Sequence, residues 1–257
     1  MMKKLTMNLL AIALFLVAFT VEGQDFKVAV SGQKKVVIKE VNRVSVEAYD
    51  GTEIQITSSN KDEERSERAA GLKSLSARGE DNTGIGLNVK TEAGEITIMQ
   101  VARRADGKYT IKIPKSMNVK VEHNGSWEGS KIEVYRVSGE LEISGNNNGV
   151  YLEDITGPAL VNTVYGQIEA KFTSLSQAGP TSLVSVYGDV DVTLPANAKA
   201  NISAKTPFGE AYSDLNIEFP KTDGMRKVSS TVEGTLNGGG VKLDIQASYK
   251  NIYLRKK

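Results

Sequence analysis

Apolar and polar residues alternate with a period of two along most of the chain, which is typical of β-strands with one buried and one exposed face. The segments "FKVAV", "VVIKEV", "VSVEAY" and "EIQIT", which fall between Phe26 and Thr57, all follow this pattern. Asp50 and Gly51 mark one of the turns between them. Beyond Pro114 nearly all of the sequence consists of short alternating segments separated by glycine. The pattern therefore predicts an all-β protein.

One stretch favours a helix instead. Helix-forming residues run from Asp62 to Ala70, and Gly71 is a natural stop. We expect a short surface helix here, without a functional role.

A long-range repeat predicts a corner that is built twice. The segment "IKIPKSMNVKV" (Ile111–Val121) resembles "VTLPANAKANI" (Val192–Ile202) in its order of apolar, polar and proline positions. Proline has no N–H to donate to a sheet ladder. Each copy therefore predicts a strand that ends at Pro114 or Pro195, followed by a corner and a new strand.

A shorter repeat predicts the architecture. Glycines recur in two interleaved series with steps of 17 to 22 residues, one at positions 139, 157 and 179 and one at positions 149, 166, 188 and 209. Glycine suits corners because it tolerates a positive φ and lets neighbouring backbones approach closely. Rungs of about 20 residues with glycine at the corners predict a single-domain, β-helix-like β-solenoid with a more irregular N-terminal β portion.

Alternation within the repeated phrases assigns their faces. In "VYGQIEA" the positions of Val164, Ile168 and Ala170 are expected to point inward, and in "VYGDVDV" those of Val186, Val190 and Val192. In "FGEAY" the inward positions are those of Gly209 and Ala211. The side chains expected to point outward include Tyr165, Tyr187, Phe208, Asp189 and Asp191.

The first 23 residues have the outline of a secretory signal peptide. Lys3 and Lys4 precede an apolar run from Leu9 to Phe19, and cleavage is expected after Gly23 or, as the alternative, after Thr20. The run is shorter than the roughly 20 apolar residues that a membrane-spanning helix needs. We therefore expect residues 1–23 to be removed and residues 24–257 to form one exported domain, in the periplasm, on the cell surface or outside the cell, with no transmembrane segment.

Charge and cysteine content exclude several classes of partner and chemistry. Residues 1–23 hold 2 of the 32 basic and 1 of the 31 acidic residues, so 30 of each remain and residues 24–257 are formally neutral. Neutrality argues against nucleic acid as a partner, because phosphate binding depends on an excess of Lys and Arg. Without cysteine, neither disulfides nor thiolate chemistry can occur.

The pattern "VSGELEI…ITGPALV…VYGQIEA…VYGDVDVTLP…TPFGEAY…LNGGGVKLDI", behind a signal peptide, resembles the bacterial putative-adhesin family. The resemblance covers essentially all of residues 24–257, and "ERAAGLKSLSARGEDNTGIGL" is similar to the form found in one bacterial subfamily. It implies a secreted β-solenoid domain whose function is unknown. The family has no established catalytic residues, so the resemblance assigns none to this chain.

Few residues are candidates for catalysis or metal binding. His123 is the only histidine and lies in no catalytic motif, so we expect it at the surface or in a turn. A metal would depend on oxygen ligands such as the acidic pairs Glu153–Asp154 and Asp189–Asp191. The phrase "GGGVKLD" is one degenerate copy of a calcium-binding repeat, and one copy is not a repeat. We therefore predict no catalytic residue, no metal site and no cofactor.

The candidate binding surface consists of outward aromatic and acidic residues. Because rungs stack at about 4.8 Å, Tyr165, Tyr187 and Phe208 should form a column, with Asp189 and Asp191 nearby. One interpretation is a structural stack that covers the corner. The other is a platform for the flat apolar faces of sugars or for a partner protein.

We expect a non-enzymatic exported protein of the cell envelope or surface that is adhesive or binds a glycan or surface protein. Two alternatives remain open. One is a carbohydrate-active β-helix enzyme acting on polysaccharide, because clustered carboxylates can act as acid and base. The other is a purely structural envelope component that binds no soluble ligand.

Overall fold

The computed structural model describes residues 24–59, 77–102, 107–125, 130–220 and 230–257. Within these ranges the protein is all-β, with 21 strands and no helix, as the alternation predicts. The predicted signal peptide and the predicted helix at Asp62–Ala70 lie outside the described residues.

The strands form two large sheets. The first sheet contains β1 (Gln24–Ala29), β3 (Val44–Tyr49), β4 (Glu53–Ser58), β7 (Tyr109–Pro114), β9 (Lys131–Tyr135), β11 (Gly149–Ile155), β13 (Ile168–Phe172), β15 (Val190–Leu194), β17 (Ala211–Ser213) and β21 (Ile252–Lys256). The second sheet contains β2 (Lys35–Lys39), β5 (Leu87–Thr91), β6 (Glu95–Gln100), β8 (Asn118–His123), β10 (Leu141–Gly145), β12 (Ala159–Thr163), β14 (Thr181–Ser185), β16 (Ala200–Lys205), β18 (Ile217–Glu218), β19 (Thr231–Leu236) and β20 (Val241–Ala247).

Both sheets are mixed. The spatial order is β1-β4-β7-β3-β9-β11-β13-β15-β21-β17 in the first and β18-β19-β16-β20-β14-β12-β10-β8-β2-β6-β5 in the second. Antiparallel pairs join β4 to β1 and β7, β5 to β6, and β19 to β16 and β18. The remaining strand pairs of both sheets are parallel.

The chain alternates between the two sheets from β8 to β15. Each strand pairs in parallel with the strand two places further on, so β9, β11, β13 and β15 are neighbours in one sheet and β8, β10, β12 and β14 in the other. Val150 is paired with Ile168, and Ile168 with Val190, so the chain advances 18 and then 22 residues between paired positions.

Inward side chains of both sheets form one apolar cluster. Ile168, Ala170, Val190 and Val192 are fully buried, as the alternation predicts. Four positions differ from the prediction. Val164, Val186 and Gly209 are only half-buried, and Ala211 is exposed because β17 lies at the edge of its sheet.

Both proline corners occur where the sequence predicts them. β7 ends at Pro114 and β15 ends at Leu194, directly before Pro195. The strands that follow, β8 and β16, begin in the opposite sheet. In each copy the chain therefore changes sheets at the proline.

Close approach to the backbone of a neighbouring chain segment, and not a positive φ, explains five of the seven repeated glycines, namely Gly139, Gly157, Gly166, Gly188 and Gly209. A Cβ on Gly166 would lie 1.7 Å from the carbonyl oxygen of Asn148, and one on Gly188 would lie 2.1 Å from that of Gly166. None of the seven glycines in the two series has a positive φ. Gly149 and Gly179 are not equivalent to the other five, because a Cβ on Gly149 would meet its nearest atom, in Lys131, at 3.8 Å, and one on Gly179 would meet only the side chain of Pro158, at 3.3 Å.

The last two strands do not extend the sheets at their ends. β20 lies between β14 and β16, and β21 lies between β15 and β17. Strands that come last in the sequence therefore lie between strands that precede them.

Candidate functional site

Four aromatic rings stack in a line at one corner of the protein, and we call Tyr165, Tyr187, Tyr249 and Phe208 the aromatic column. Ring centroids are 5.1 Å apart from Tyr165 to Tyr187, 4.8 Å from Tyr187 to Tyr249 and 4.9 Å from Tyr249 to Phe208. The ring planes deviate from parallel by 8–9°. The three residues selected from the sequence do lie in one column, and Tyr249 completes it.

Strand register explains why Tyr249 belongs to the column. Ser185 is paired with Ala247, so Tyr187 and Tyr249 follow at equivalent positions two residues later. The segment "ASYKN" around Tyr249 lacks the glycine of the "VYG" phrase, and Lys250 takes the place of that glycine. A search of the sequence for phrases that end in this glycine therefore misses the segment around Tyr249.

A buried hydroxyl supports each glycine of the corner. Gly166, Gly188 and Gly209 donate their N–H to the hydroxyls of Thr163, Ser185 and Thr206, respectively. These hydroxyls in turn donate to a carbonyl oxygen of the neighbouring rung, which belongs to Asn148, Gly166 and Lys250, respectively. The full phrase is thus Ser or Thr, any residue, an aromatic residue and Gly. It joins adjacent rungs and places the ring outside.

The stacking decides which part of each ring a ligand can reach. Each inner ring has both faces against neighbouring rings, so Tyr187 and Tyr249 present mainly their edges and hydroxyls. Their exposed fractions are 44% and 48%. The end rings Tyr165 and Phe208 are 60% and 72% exposed, and each has one face that no ring of the column covers. An apolar sugar face could stack only at these two ends.

Replacing Tyr187 by alanine should lower the free energy of unfolding by about 1–3 kcal/mol, because two stacked pairs are lost at about 0.5–1.5 kcal/mol each. Tyr165→Ala removes one pair and should cost about half as much. Urea unfolding of both variants measures the difference. Unchanged stability of Tyr187→Ala would contradict a structural role for the stack.

The two predicted acidic residues lie near the column but are engaged by the protein itself. Asp189 accepts a hydrogen bond from the N–H of Asn251 at 2.9 Å. Asp191 is held in a bidentate ion pair by the guanidinium of Arg255, at 2.8–3.0 Å. This pair raises the pKa of Arg255 above its ordinary value.

Other outward carboxylates are also paired. Glu169 forms an ion pair with Lys171 at 2.8 Å, and Glu210 accepts a hydrogen bond from the hydroxyl of Tyr212 at 2.5 Å. That hydrogen bond raises the pKa of Tyr212. These carboxylates thus form the polar side-chain ladders of a solvated sheet face.

A shallow groove of about 220 Å³ lies on the second sheet. Leu160, Pro158 and Pro180 form an apolar part of its lining, and Lys35 and Glu142 are among its charged residues. Glu142 is paired with Lys120 at 2.9 Å, so it too is engaged. Among the described residues no group of three or more His, Cys, Asp or Glu could hold a metal ion.

His123 is buried, which corrects the prediction of a surface or turn position. It lies at the end of β8 with 1% of its surface exposed, and its Nε2 is 2.8 Å from the side-chain oxygen of Asn42. Burial lowers the pKa of His123, since the imidazolium form loses its hydration. The negative charge of Glu40 acts in the opposite direction, and Arg78 adds to the lowering.

The fold should lose stability between about pH 7 and pH 5.5, because a histidine with a lowered pKa in the folded state binds protons more readily once unfolded. The contribution of neutral His123 to stability is fully present above the pKa of histidine in the unfolded chain, about 6.5. It is lost as the pH falls toward the lower pKa that His123 has in the folded protein. Urea midpoints at the two pH values measure it. His123→Gln should flatten the dependence, since the chain has no other histidine. An equally steep dependence in this variant would contradict the assignment.

Within the described ranges no helix is long and apolar enough to cross a bilayer. No protein-family model and no curated protein matches the sequence.

Three solved structures are similar to this chain. A putative cell adhesion protein from Clostridium sporogenes is 11% identical with a TM-score of 0.46, and the match covers 92% of this chain and all of that chain. A putative adhesin from Bacteroides fragilis is 13% identical with a TM-score of 0.34, covering 93% and 98% of the two chains. One from Parabacteroides distasonis is 10% identical with a TM-score of 0.34, covering 91% and 96%.

Proposed function

We propose that residues 24–257 form an exported β-solenoid that binds a glycan or a surface protein at the cell envelope, without enzymatic activity. The aromatic column carries this proposal. Exposed apolar side chains are normally scattered singly on a soluble domain, and a contiguous row marks a site of interaction. The adhesin descriptions of the similar structures belong to those proteins, and for this chain adhesion remains a proposal.

Strand connectivity supports the solenoid. From β8 to β15 the chain alternates between two sheets, and each strand is parallel to the strand two places further on. The glycine and the hydroxyl of the column corner recur in the turns that carry Tyr165, Tyr187 and Phe208. Such stacking builds a long flat side on which equivalent side chains line up.

The column favours a particular mode of binding. A ligand that runs along the corner meets ring edges and the hydroxyls of Tyr165, Tyr187 and Tyr249 at intervals of about one rung. Tyrosine suits such contacts because its ring is apolar and its hydroxyl forms hydrogen bonds. At the end of the column, the free face of Phe208 can take a sugar ring or an apolar side chain.

The enzyme alternative has less support. A glycosidase needs two carboxyl groups free to act as acid and base or nucleophile. Asp191, Glu169 and Glu210 are instead paired with Arg255, Lys171 and Tyr212. These pairs lie on an open sheet face, where water is not excluded.

Export predicts the mass of the protein recovered from cells. The chain should begin near Gln24, because cleavage is expected after Gly23. Mass spectrometry of the intact protein from cell fractions measures this. A chain with Met1 intact in the cytosol would contradict export.

Retention on insoluble polysaccharides and purified peptidoglycan tests the binding function. Phe208→Ala should reduce retention about tenfold if the free ring face is the main contact, since a nucleic-acid base stacked on an aromatic side chain is worth about 1–3 kcal/mol and we expect the apolar face of a sugar to gain a similar amount. Tyr212→Ala is the matched control. Tyr212 is also exposed, belongs to the same part of the chain and stacks on one neighbour, Tyr253, but lies outside the column.

Each outcome discriminates among the candidate functions. Saturable retention that Phe208→Ala weakens and Tyr212→Ala preserves supports the proposal. Release of soluble products from a polysaccharide favours the enzyme. Absence of retention of the unaltered protein on every polymer and on intact cells favours a purely structural component.

A further inference from the structure

The two strands β20 and β21, with the loop between them, occupy a slot that is one strand wide in each of the two sheets. We call residues 241–257 the inserted rung. In the second sheet β20 pairs in parallel with β14 on one side and with β16 on the other. In the first sheet β21 does the same with β15 and β17. All four flanking strands precede the inserted rung in the sequence, so the slot is formed by a part of the chain that does not include its occupant.

The contacts of the inserted rung identify what fits this slot. Its inward side chains are buried, and these are Leu243, Ile245, Ala247, Ile252 and Leu254. On the outside, Arg255 forms the bidentate ion pair with Asp191 of β15. Tyr249 fills the gap in the aromatic column between Tyr187 and Phe208. A segment that fills the slot must therefore pair with the flanking strands, bury apolar side chains, place a positive charge beside Asp191 and place an aromatic ring in the column.

A short connection joins the inserted rung to the rest of the chain. Ala200 in β16 is paired with Leu236 of β19 on one side and with Val241 of β20 on the other. The chain therefore crosses the end of β16 within four residues, 237–240. Asn237, Gly238 and Gly239 have φ values of 52°, 79° and 82°, three consecutive residues in the left-handed region. Glycine adopts this conformation without a steric penalty, so the connection depends on Gly238 and Gly239, and a larger residue at either position would be strained.

We propose that the slot is an interaction surface for a second copy of this chain, and that two chains exchange their inserted rungs to form a dimer. Each slot then holds the rung of the partner. Every contact of the inserted rung is kept, because the same residues meet the same slot. Only residues 237–240 change, since they extend toward the partner and leave the left-handed conformation. Exchange of an identical element is a low-cost route to dimers.

Complementary charge reversal tests the exchange in the full chain. Asp191→Arg places two cations together in its own slot, and Arg255→Asp places two anions together. A dimer with one copy of each variant, with rungs exchanged, restores opposite charges in both slots. Either variant alone has like charges at positions 191 and 255 in every slot, whether it is a monomer or an exchanged dimer. The two side chains are 28% and 53% exposed, so both variants should still fold.

The two variants are unfolded in urea, refolded together at high concentration and separated by size. Native mass spectrometry then measures the composition of the dimers. The squared amount of mixed dimer divided by the product of the amounts of the two uniform dimers should exceed its value for random pairing about tenfold, since two ion pairs are restored in each mixed dimer. The double variant Asp191→Arg with Arg255→Asp has its pair restored within one chain and should behave as the unaltered protein does. A mixture that refolds to the sum of the two separate samples, without enriched mixed dimers, would overturn the proposal.

A second experiment uses the connection and does not depend on the charged pair. Gly238→Ala should raise the dimer association constant about tenfold or more, because alanine at a positive φ strains the monomer and the exchanged form releases that strain twice. A Cβ there meets nothing within 4 Å, so conformation alone is changed. Gly94→Ala is the control, since Gly94 also has a positive φ and open space but lies between β5 and β6. Equal dimer fractions for the two variants would contradict exchange at residues 237–240.

Discussion

Replacing Gly188 by valine should lower the free energy of unfolding by about 3 kcal/mol or more. The added Cβ would lie 2.1 Å from the carbonyl oxygen and 2.5 Å from the carbonyl carbon of Gly166. These are backbone atoms of the neighbouring rung, so no side-chain rotation can relieve the overlap. The rungs must separate, and their ladder and inward contacts weaken together. Overpacking typically costs 1–3 kcal/mol and occasionally more.

Thermal unfolding measures this cost, because about 1 kcal/mol shifts the melting temperature by about 2–4 °C in a domain of this size. Gly149→Val is the matched control. Gly149 begins β11, has no positive φ, and a Cβ there would be 3.8 Å from its nearest neighbour. Valine suits a strand at such a position. We expect a change within about 0.5 kcal/mol. Equal melting shifts for the two variants would contradict close approach as the reason for Gly188.

Replacing Ser185 by alanine should lower the free energy of unfolding by about 2–4 kcal/mol. Its hydroxyl is fully buried, accepts the N–H of Gly188 at 2.8 Å and donates to the carbonyl oxygen of Gly166 at 2.8 Å. Alanine leaves both backbone groups without this partner in a place that water does not reach. Each buried polar group without a partner costs about 1–3 kcal/mol.

Two further substitutions separate the hydroxyl from other effects. Ser182→Ala removes a hydroxyl from an outward position of the same strand, β14, and should change stability by about 0.5 kcal/mol or less. Ser185→Thr should keep most of the stability, because Thr163 and Thr206 make the same two hydrogen bonds in their own rungs. Urea unfolding compares the three variants. A cost for Ser185→Ala no larger than that for Ser182→Ala would show that the corner does not depend on the hydroxyl.

Both predictions concern the "VYG" phrase, and the sequence and the structure contribute differently to its explanation. The repeat of the phrase and its position at corners follow from the sequence. The conformation does not, since a glycine selected for a positive φ and one selected for close approach look alike in sequence. Gly188 belongs to the second kind, and Gly238 to the first. The hydroxyl three residues before each glycine is visible in the sequence, but its role became clear only from its two hydrogen bonds.

The partners of His123 and Asp191, two residues considered for chemistry, likewise became known only from the structure. Sequence alone places no partner beside a lone histidine, and its neighbour Asn42 is 81 residues away along the chain. Asp191 was selected as an outward acidic residue, which the structure supports. Its partner Arg255 is separated from it by 64 residues, and the two meet only because β21 pairs with β15.

The sequence by itself determined the strands, most of their faces and the corners at proline and glycine, because alternation and turn chemistry act over a few residues. The order of the strands was decided only by the tertiary structure. An alternating segment such as "VKLDIQA" has apolar side chains on one face and backbone groups on both edges, so it can pair with many strands equally well. Its position between β14 and β16 depends on how buried side chains pack across the two sheets. That packing places Tyr249 between Tyr187 and Phe208 and completes the column.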